Sequence, residues 1–171
     1  KQLEEGIEKY GSPRKSKVIQ LIDGVKIADT FHYLIFTDKY VKKLPYNEDG
    51  YRIGRIDNGE KIRSVVVVNN RDKIAIFTRD GKFTPVDVND IGNSSLQSVG
   101  ISLSQFNIKD NFIGMIPIDD SLNDKFIVTV TEKGLISKTP TDELFEKKRS
   151  TPFMKLSKDD LMIGVGICEE N

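Results

Sequence analysis

The chain holds few residues whose types and spacing could do catalytic or metal chemistry. His32 is the single histidine and Cys168 the single cysteine, too few for a structural zinc site, which takes about four ligands. One cysteine cannot close an intrachain disulfide, which fits a reducing compartment. His32 precedes an apolar run and reads as a half-buried packing residue, and Cys168, in "MIGVGIC", as a small core hydrophobe. Paired acids occur in "IDDSLNDK" (118–125) and "SKDDL" (157–161). Neither has the Asp-x-Asp-x-Asp-Gly pattern of a calcium loop, so turns are expected at both. The phosphate loop Gly-x-x-x-x-Gly-Lys, the nucleophile elbow Gly-x-Ser-x-Gly and the metalloprotease pattern His-Glu-x-x-His are all absent.

What remains is charge. Lys+Arg and Asp+Glu number 26 each and the sequence pI is 6.8, so any affinity for a polyanion must come from uneven distribution rather than net charge. Residues 1–30 carry 6 basic and 5 acidic groups, 31–72 carry 8 and 6, 73–124 carry 4 and 7, and 125–171 carry 8 and 8. The first two blocks are the positive ones.

The elements that must position these charges read as follows. In "KQLEEGIEKYG", Leu3, Ile7 and Tyr10 share one face of a helix, and Gly11 and Pro13 end it. Short runs rich in Val, Ile, Phe and Thr then take over: "KVIQLI", "FHYLIFT", "RSVVVVNN", "KIAIFT", "FTPVDV", "NFIGMIPI", "KFIVTVT", "GLISKTP" and "LMIGVGI". They read as strands, and the body is all-β. No apolar run approaches the roughly 20 residues of a membrane helix, and no secretory signal opens the chain. With 171 residues and 37% hydrophobic content, it can form one packed domain with a wet exterior, in line with a mean hydropathy of −0.37. Lys1 stands where an initiator Met would, as expected of a piece of something longer.

Three segments repeat: "LIFTDKYVKKLP" (34–45), "AIFTRDGKFTPV" (75–86) and "VTVTEKGLISKT" (128–139). Thr37, Thr78 and Thr131 align, and each precedes a hairpin turn, with Gly81 and Gly134 free to take positive φ. Their separation matches a four-stranded propeller blade of about 40–50 residues. The expected organisation is a helix end and linker over 1–30, then about three blades at 31–72, 73–124 and 125–171. Closed propellers have at least about four blades, so an open arc or part of a larger disc is expected.

A charged helix ending in "KYGSPRKSKVI", followed by repeats of the type apolar-apolar-Thr-x-x-Gly-x-apolar, resembles the junction between the breakage-reunion core and the C-terminal β-pinwheel of type IIA DNA topoisomerase A subunits, those of DNA gyrase and topoisomerase IV. Tyr10, Gly11, Arg14, Lys15, Ser16 and Val18 fill the family's junction pattern, with Ser16 in place of Thr. The resemblance implies a β-propeller (β-pinwheel) of four-stranded antiparallel blades, partial or open, that binds and bends duplex DNA while other parts of the enzyme cut it. It also implies two protein partners, the topoisomerase core and an ATPase B subunit. ATP and magnesium would be used elsewhere, with no cofactor in this chain, in a cytoplasmic, nucleoid-associated setting without membrane contact. The family's cleaving tyrosine lies upstream, and the tyrosines here read as packing or turn residues. One departure matters: where the gyrase type has a Gln-Arg-Arg-Gly-Gly-Lys-Gly box, "NEDGYRIGRIDNGEKI" keeps only Gly50, Arg52, Gly54, Arg55, Gly59 and Lys61. A topoisomerase IV-like or divergent enzyme is therefore expected rather than gyrase-like wrapping.

On this resemblance the expected phosphate contacts are Lys39, Lys42, Lys43, Arg52, Arg55, Lys61 and Arg63 in the first blade, and Arg14 and Lys15 beside the junction. Such contacts position a duplex without reading its sequence. Each of these residues taken singly also fits an ordinary solvated edge, where Lys discourages strand pairing. The run "EKKRS" (146–150) reads as a solvated loop or helix face. The alternative function is a β-propeller protein-interaction module, in keeping with the zero net charge.

Overall fold

The computed structural model describes residues 29–50, 52–109 and 111–169. The helix expected over 1–10, the junction motif, Arg14 and Lys15 lie outside the described residues. Eleven strands are present among those described: β1 (Phe31–Phe36), β2 (Tyr40–Pro45), β3 (Ser64–Asn69), β4 (Lys73–Thr78), β5 (Lys82–Asp87), β6 (Ile101–Ser102), β7 (Phe112–Ile118), β8 (Lys125–Thr131), β9 (Ile136–Pro140), β10 (Thr151–Pro152) and β11 (Met162–Glu169). A single helical turn, α1 (Asp142–Glu146), follows β9.

The strands form three antiparallel sheets, ordered β3-β1-β2-β6, β7-β4-β5-β10 and β11-β8-β9. These sheets are open and not closed on one another. The outer strands cross the contiguous ranges read from the sequence. β6, from within 73–124, completes the first sheet by pairing Val41 with Ile101. β10, from within 125–171, completes the second by pairing Phe83 with Thr151.

Of the three aligned threonines, Thr37 directly follows β1 and Thr78 and Thr131 end β4 and β8, and all are buried. Each fastens its hairpin: Thr37 Oγ1 accepts from the Tyr40 N–H, the Thr78 hydroxyl donates to Asp80, and Thr131 Oγ1 accepts from the Leu135 N–H. Gly81 (φ 75°) and Gly134 (φ 84°) supply the left-handed turn residue in the second and third hairpins.

Period-two geometry explains why β4 is apolar from Ile74 to Phe77. Ile74 and Ile76 face one way, into a core shared with Leu34, Phe36 and Val41 of the first sheet. Ala75 and Phe77 face the other way, into a core with Ile116, Ile127 and Met162 of the second and third sheets. A middle sheet covered on both faces loses the polar half of the alternation. Phe36 stacks on Phe112 at 5.3 Å, and Phe77, Phe83 and Phe153 pack mutually with centroids 5.4–5.8 Å apart. In β8 only Ile127, Thr129 and Thr131 are buried, the one-sided pattern of an outer sheet.

Candidate nucleic-acid interface

Residues 46–63, between β2 and β3, carry no apolar alternation and hold three glycines at positive φ: Gly50 (103°), Gly54 (72°) and Gly59 (85°). This loop lies against the segment leading into β6. A Cβ at Gly54 would overlap the Leu96 carbonyl oxygen, so glycine is required there for both its backbone and its close approach. The Arg55 N–H donates to the Leu96 carbonyl at 2.7 Å and the Arg63 N–H to the Phe36 carbonyl at 2.7 Å.

Of the loop's exposed cations, Arg52, Arg55 and Lys61 make no ion pair among the described residues, whereas Arg63 pairs with Asp38. Arg52 borders an open groove of about 790 Å³ whose polar lining includes Asn47, Asp49, Ser94 and Ser95. Arginine and hydroxyl donors suit phosphate oxygens, whereas Asp49 opposes them.

The other expected contacts are placed differently. Lys42 and Lys43 are 2% and 5% exposed and do not form part of a rim. Adjacent on β2, they point to opposite faces, and both faces are covered. The Lys42 ammonium donates to the carbonyls of Ile53 at 2.6 Å and Arg55 at 3.1 Å, and that of Lys43 to the Val88 carbonyl at 2.9 Å. Burial pulls both ammonium pKa values below the usual lysine value. The physical reason for the correction is that irregular backbone packed over a sheet leaves carbonyls in need of donors, and a long lysine can reach them. Lys39 is exposed and lies 3.8 Å from Glu60, while Arg63 is held by Asp38 through two bonds of 2.7 and 3.1 Å. The structure thus leaves Arg52, Arg55 and Lys61 exposed on one loop and engages the other four described candidates.

A second basic group was legible in the sequence only as a solvated run. Lys147, Lys148 and Arg149 follow α1, are exposed, and lie one residue, Ser150, ahead of the outer strand β10. Lys147 and Lys148 border a small cleft with Lys73, Pro85 and Asp87. They lie in the β9–β10 connection as 94–96 lie in the β5–β6 connection, which is the segment that packs against the loop carrying Arg52 and Arg55. The signal that could have found it is the repeat itself, once outer strands are known to be exchanged between units.

Comparison with known proteins bears on this geometry. Residues 125–169 match the family model "DNA gyrase C-terminal domain, beta-propeller". The whole chain aligns at 25% identity over 190 residues with the DNA gyrase A protein of Metamycoplasma arthritidis (strain 158L3-1), spanning 21% of that relative. Over 82% of the chain, the fold superposes on the C-terminal domain of DNA topoisomerase IV with a TM-score of 0.71 at 19% identity, spanning 46% of that structure. The chain has the β-pinwheel fold of that C-terminal domain. Two further pinwheels have the same fold: the DNA gyrase A C-terminal domain (TM-score 0.59, 16% identity, 48% of that chain) and the E. coli ParC C-terminal domain (0.66, 10%, 58%), each over 82% of this one.

Within this pinwheel the remaining polar candidates have structural work. Asp119 caps the turn after β7 through the Ser121 N–H, and Asp160 accepts from the Lys133 and Leu161 N–H groups. His32 is half-buried and its Nδ1 has no hydrogen-bond partner among the described residues; burial first, and the Lys43 charge second, hold its pKa below the usual value. Cys168 is partly exposed on β11 rather than in the core. Among the described residues no group of three or more His, Cys, Asp or Glu side chains could hold a metal, and no helix is long and apolar enough to cross a membrane.

Proposed function

We propose that this pinwheel binds and bends duplex DNA along the face that carries Arg52, Arg55 and Lys61, steering the duplex during ATP-dependent strand passage by a topoisomerase IV-like or divergent enzyme. The observation that carries the reading is that these three cations stay exposed and, among the described residues, without ion pairs on a loop pinned to the sheet. Lys147, Lys148 and Arg149, exposed ahead of β10, offer further positive charge beside the second sheet. Bending a site of roughly 20–30 base pairs costs about 1–6 kcal/mol, which attraction spread over two blades can offset. The scattered residues in place of a contiguous basic box favour bending over gyrase-like wrapping. Partners of the parent protein would be the breakage-reunion core and an ATPase B subunit.

The test is a fluorescence-anisotropy titration of the chain against a duplex of about 40 base pairs at several salt concentrations. With three phosphates neutralised the log-log slope is expected near −2.7, about −0.9 per contact, and steeper if 147–149 take part. The triple change Arg52→Glu, Arg55→Glu and Lys61→Glu should abolish most of it. No binding at low salt sinks the reading. The topoisomerase IV-like half is tested in the assembled parent enzyme: introduction of negative supercoils would contradict it.

A second reading, a protein-interaction module, is favoured by one observation. The outer edge of the third sheet is uncovered among the described residues, with Leu135 48% and Ile136 66% exposed. Such an edge can accept a strand from a partner.

A further inference from the structure

The Lys42 ammonium sits in a cradle made entirely of backbone carbonyls: Ile53 at 2.6 Å, Arg55 at 3.1 Å and, more distantly, Leu96 at 3.5 Å. No carboxylate pairs with it among the described residues. An ammonium has three protons and no acceptor, so three converging carbonyls match it in number and polarity. Two of those carbonyls flank Gly54, whose φ of 72° turns the chain between them. The third belongs to the residue that receives the Arg55 N–H.

We infer that Lys42 is the positioning residue of the DNA-binding loop: a buried cation that organises backbone 53–55 and 96 around itself and so fixes where Arg52 and Arg55 are presented. This rests on the DNA-binding reading of that loop. The dependence is mutual. A desolvated ammonium is tolerated only while its carbonyls are in place, and the carbonyls lose their donor if the ammonium leaves. Lysine suits the cradle better than arginine because its charge is a compact point with freely rotating donors rather than a planar fork. Lys43 is the natural comparison, equally buried on the same strand but bound to Val88 on the opposite face.

The experiment is amide hydrogen exchange together with the salt-dependent DNA titration, on the full chain and on Lys42→Met and Lys43→Met. Methionine keeps an unbranched apolar stem and removes only the ammonium. In Lys42→Met the Arg55 amide should exchange about tenfold faster or more, as expected for loss of hydrogen bonds to a charged group. The β4 amides should stay as slow as in the wild type. DNA affinity should fall by about fivefold with the salt slope unchanged, because no phosphate contact is removed. Lys43→Met should leave Arg55 exchange unchanged. If Lys42→Met does not fold, Gly54→Ala distorts the cradle with Lys42 intact and should reproduce the faster exchange. Unchanged Arg55 exchange in the folded variant overturns the inference, as does a slope reduced by about one unit, which would make Lys42 a direct phosphate contact. Wild-type chain that does not bind DNA at any salt defeats the DNA reading alone, and the exchange data still decide what Lys42 does to the loop.

Discussion

Ile136 occupies in the third sheet the position that Phe83 occupies in the second: each pairs with the residue preceding its hairpin threonine, Val130 and Phe77 respectively. Phe83 is 1% exposed and Ile136 is 66% exposed. The difference is the outer strand β10, which pairs Thr151 with Phe83 and brings Phe153 onto its ring. Truncation should therefore cost very different amounts. Phe83→Ala is expected to lose about 3–5 kcal/mol, and Ile136→Ala to stay within about 0.5 kcal/mol. Urea midpoints of the two variants measure this, and equal losses would show that burial at Phe83 does not depend on β10.

Charge reversal separates the buried lysines from the exposed cations. Lys42→Glu and Lys43→Glu each place a carboxylate against carbonyl oxygens and should destabilise by about 3 kcal/mol or more, since a buried charge without a partner is among the costliest single changes. Arg52→Glu or Lys61→Glu should leave the midpoint within about 0.5 kcal/mol. Circular-dichroism melts distinguish the two groups. A Lys42→Glu protein as stable as the wild type would contradict the buried placement.

The two turn glycines should respond unequally to alanine. Both have positive φ, which costs an L-residue roughly 1–2 kcal/mol. At Gly81 a Cβ would also lie 2.8 Å from the Met154 carbonyl oxygen, whereas at Gly134 it meets open space. Gly81→Ala should be the more destabilising in a chemical-denaturation comparison. The reverse order would mean that the 152–156 segment yields easily.

Asp160 links the third hairpin to pH. Burial pushes its pKa up, but bonds from the Lys133 N–H, the Thr131 hydroxyl and the Leu161 N–H outweigh this and hold the carboxyl below its usual value. A carboxyl whose pKa is depressed by folding contributes stability above the unfolded value of about 3.9, and loses it as pH falls through the folded value. The stability gap between wild type and Asp160→Asn should therefore narrow on acidification below about pH 4. A gap constant with pH would show that the carboxylate is not what the turn recognises.

Several features were readable in the residues alone. The threonine repeat located three hairpins because strand alternation and a turn glycine are local properties, written in consecutive residues. The runs read as strands within 31–171 became β1, β3, β4, β5, β7, β8, β9 and β11 for the same reason. The strands β6 and β10 were not legible: two residues each, with Pro152 in one of them, they carry no periodicity and are strands only because an edge from another part of the chain is there to receive them.

The site divides along the same line. The excess of basic residues over 31–72 and the glycines of the box-like loop were visible in the sequence, because charge and backbone permissiveness belong to residue types. Which cations face solvent was settled by packing. Lys42 and Lys43 look like surface residues until a loop closes over one face of β2 and the β5–β6 connection over the other, presenting carbonyls that draw the ammoniums inside. The sequence determined the hairpins, the turns and the stock of charge, all of which depend on near neighbours in the chain. Only the tertiary structure decided which strands complete each sheet and which charges remain outside, because both depend on surfaces brought together from residues tens of positions apart.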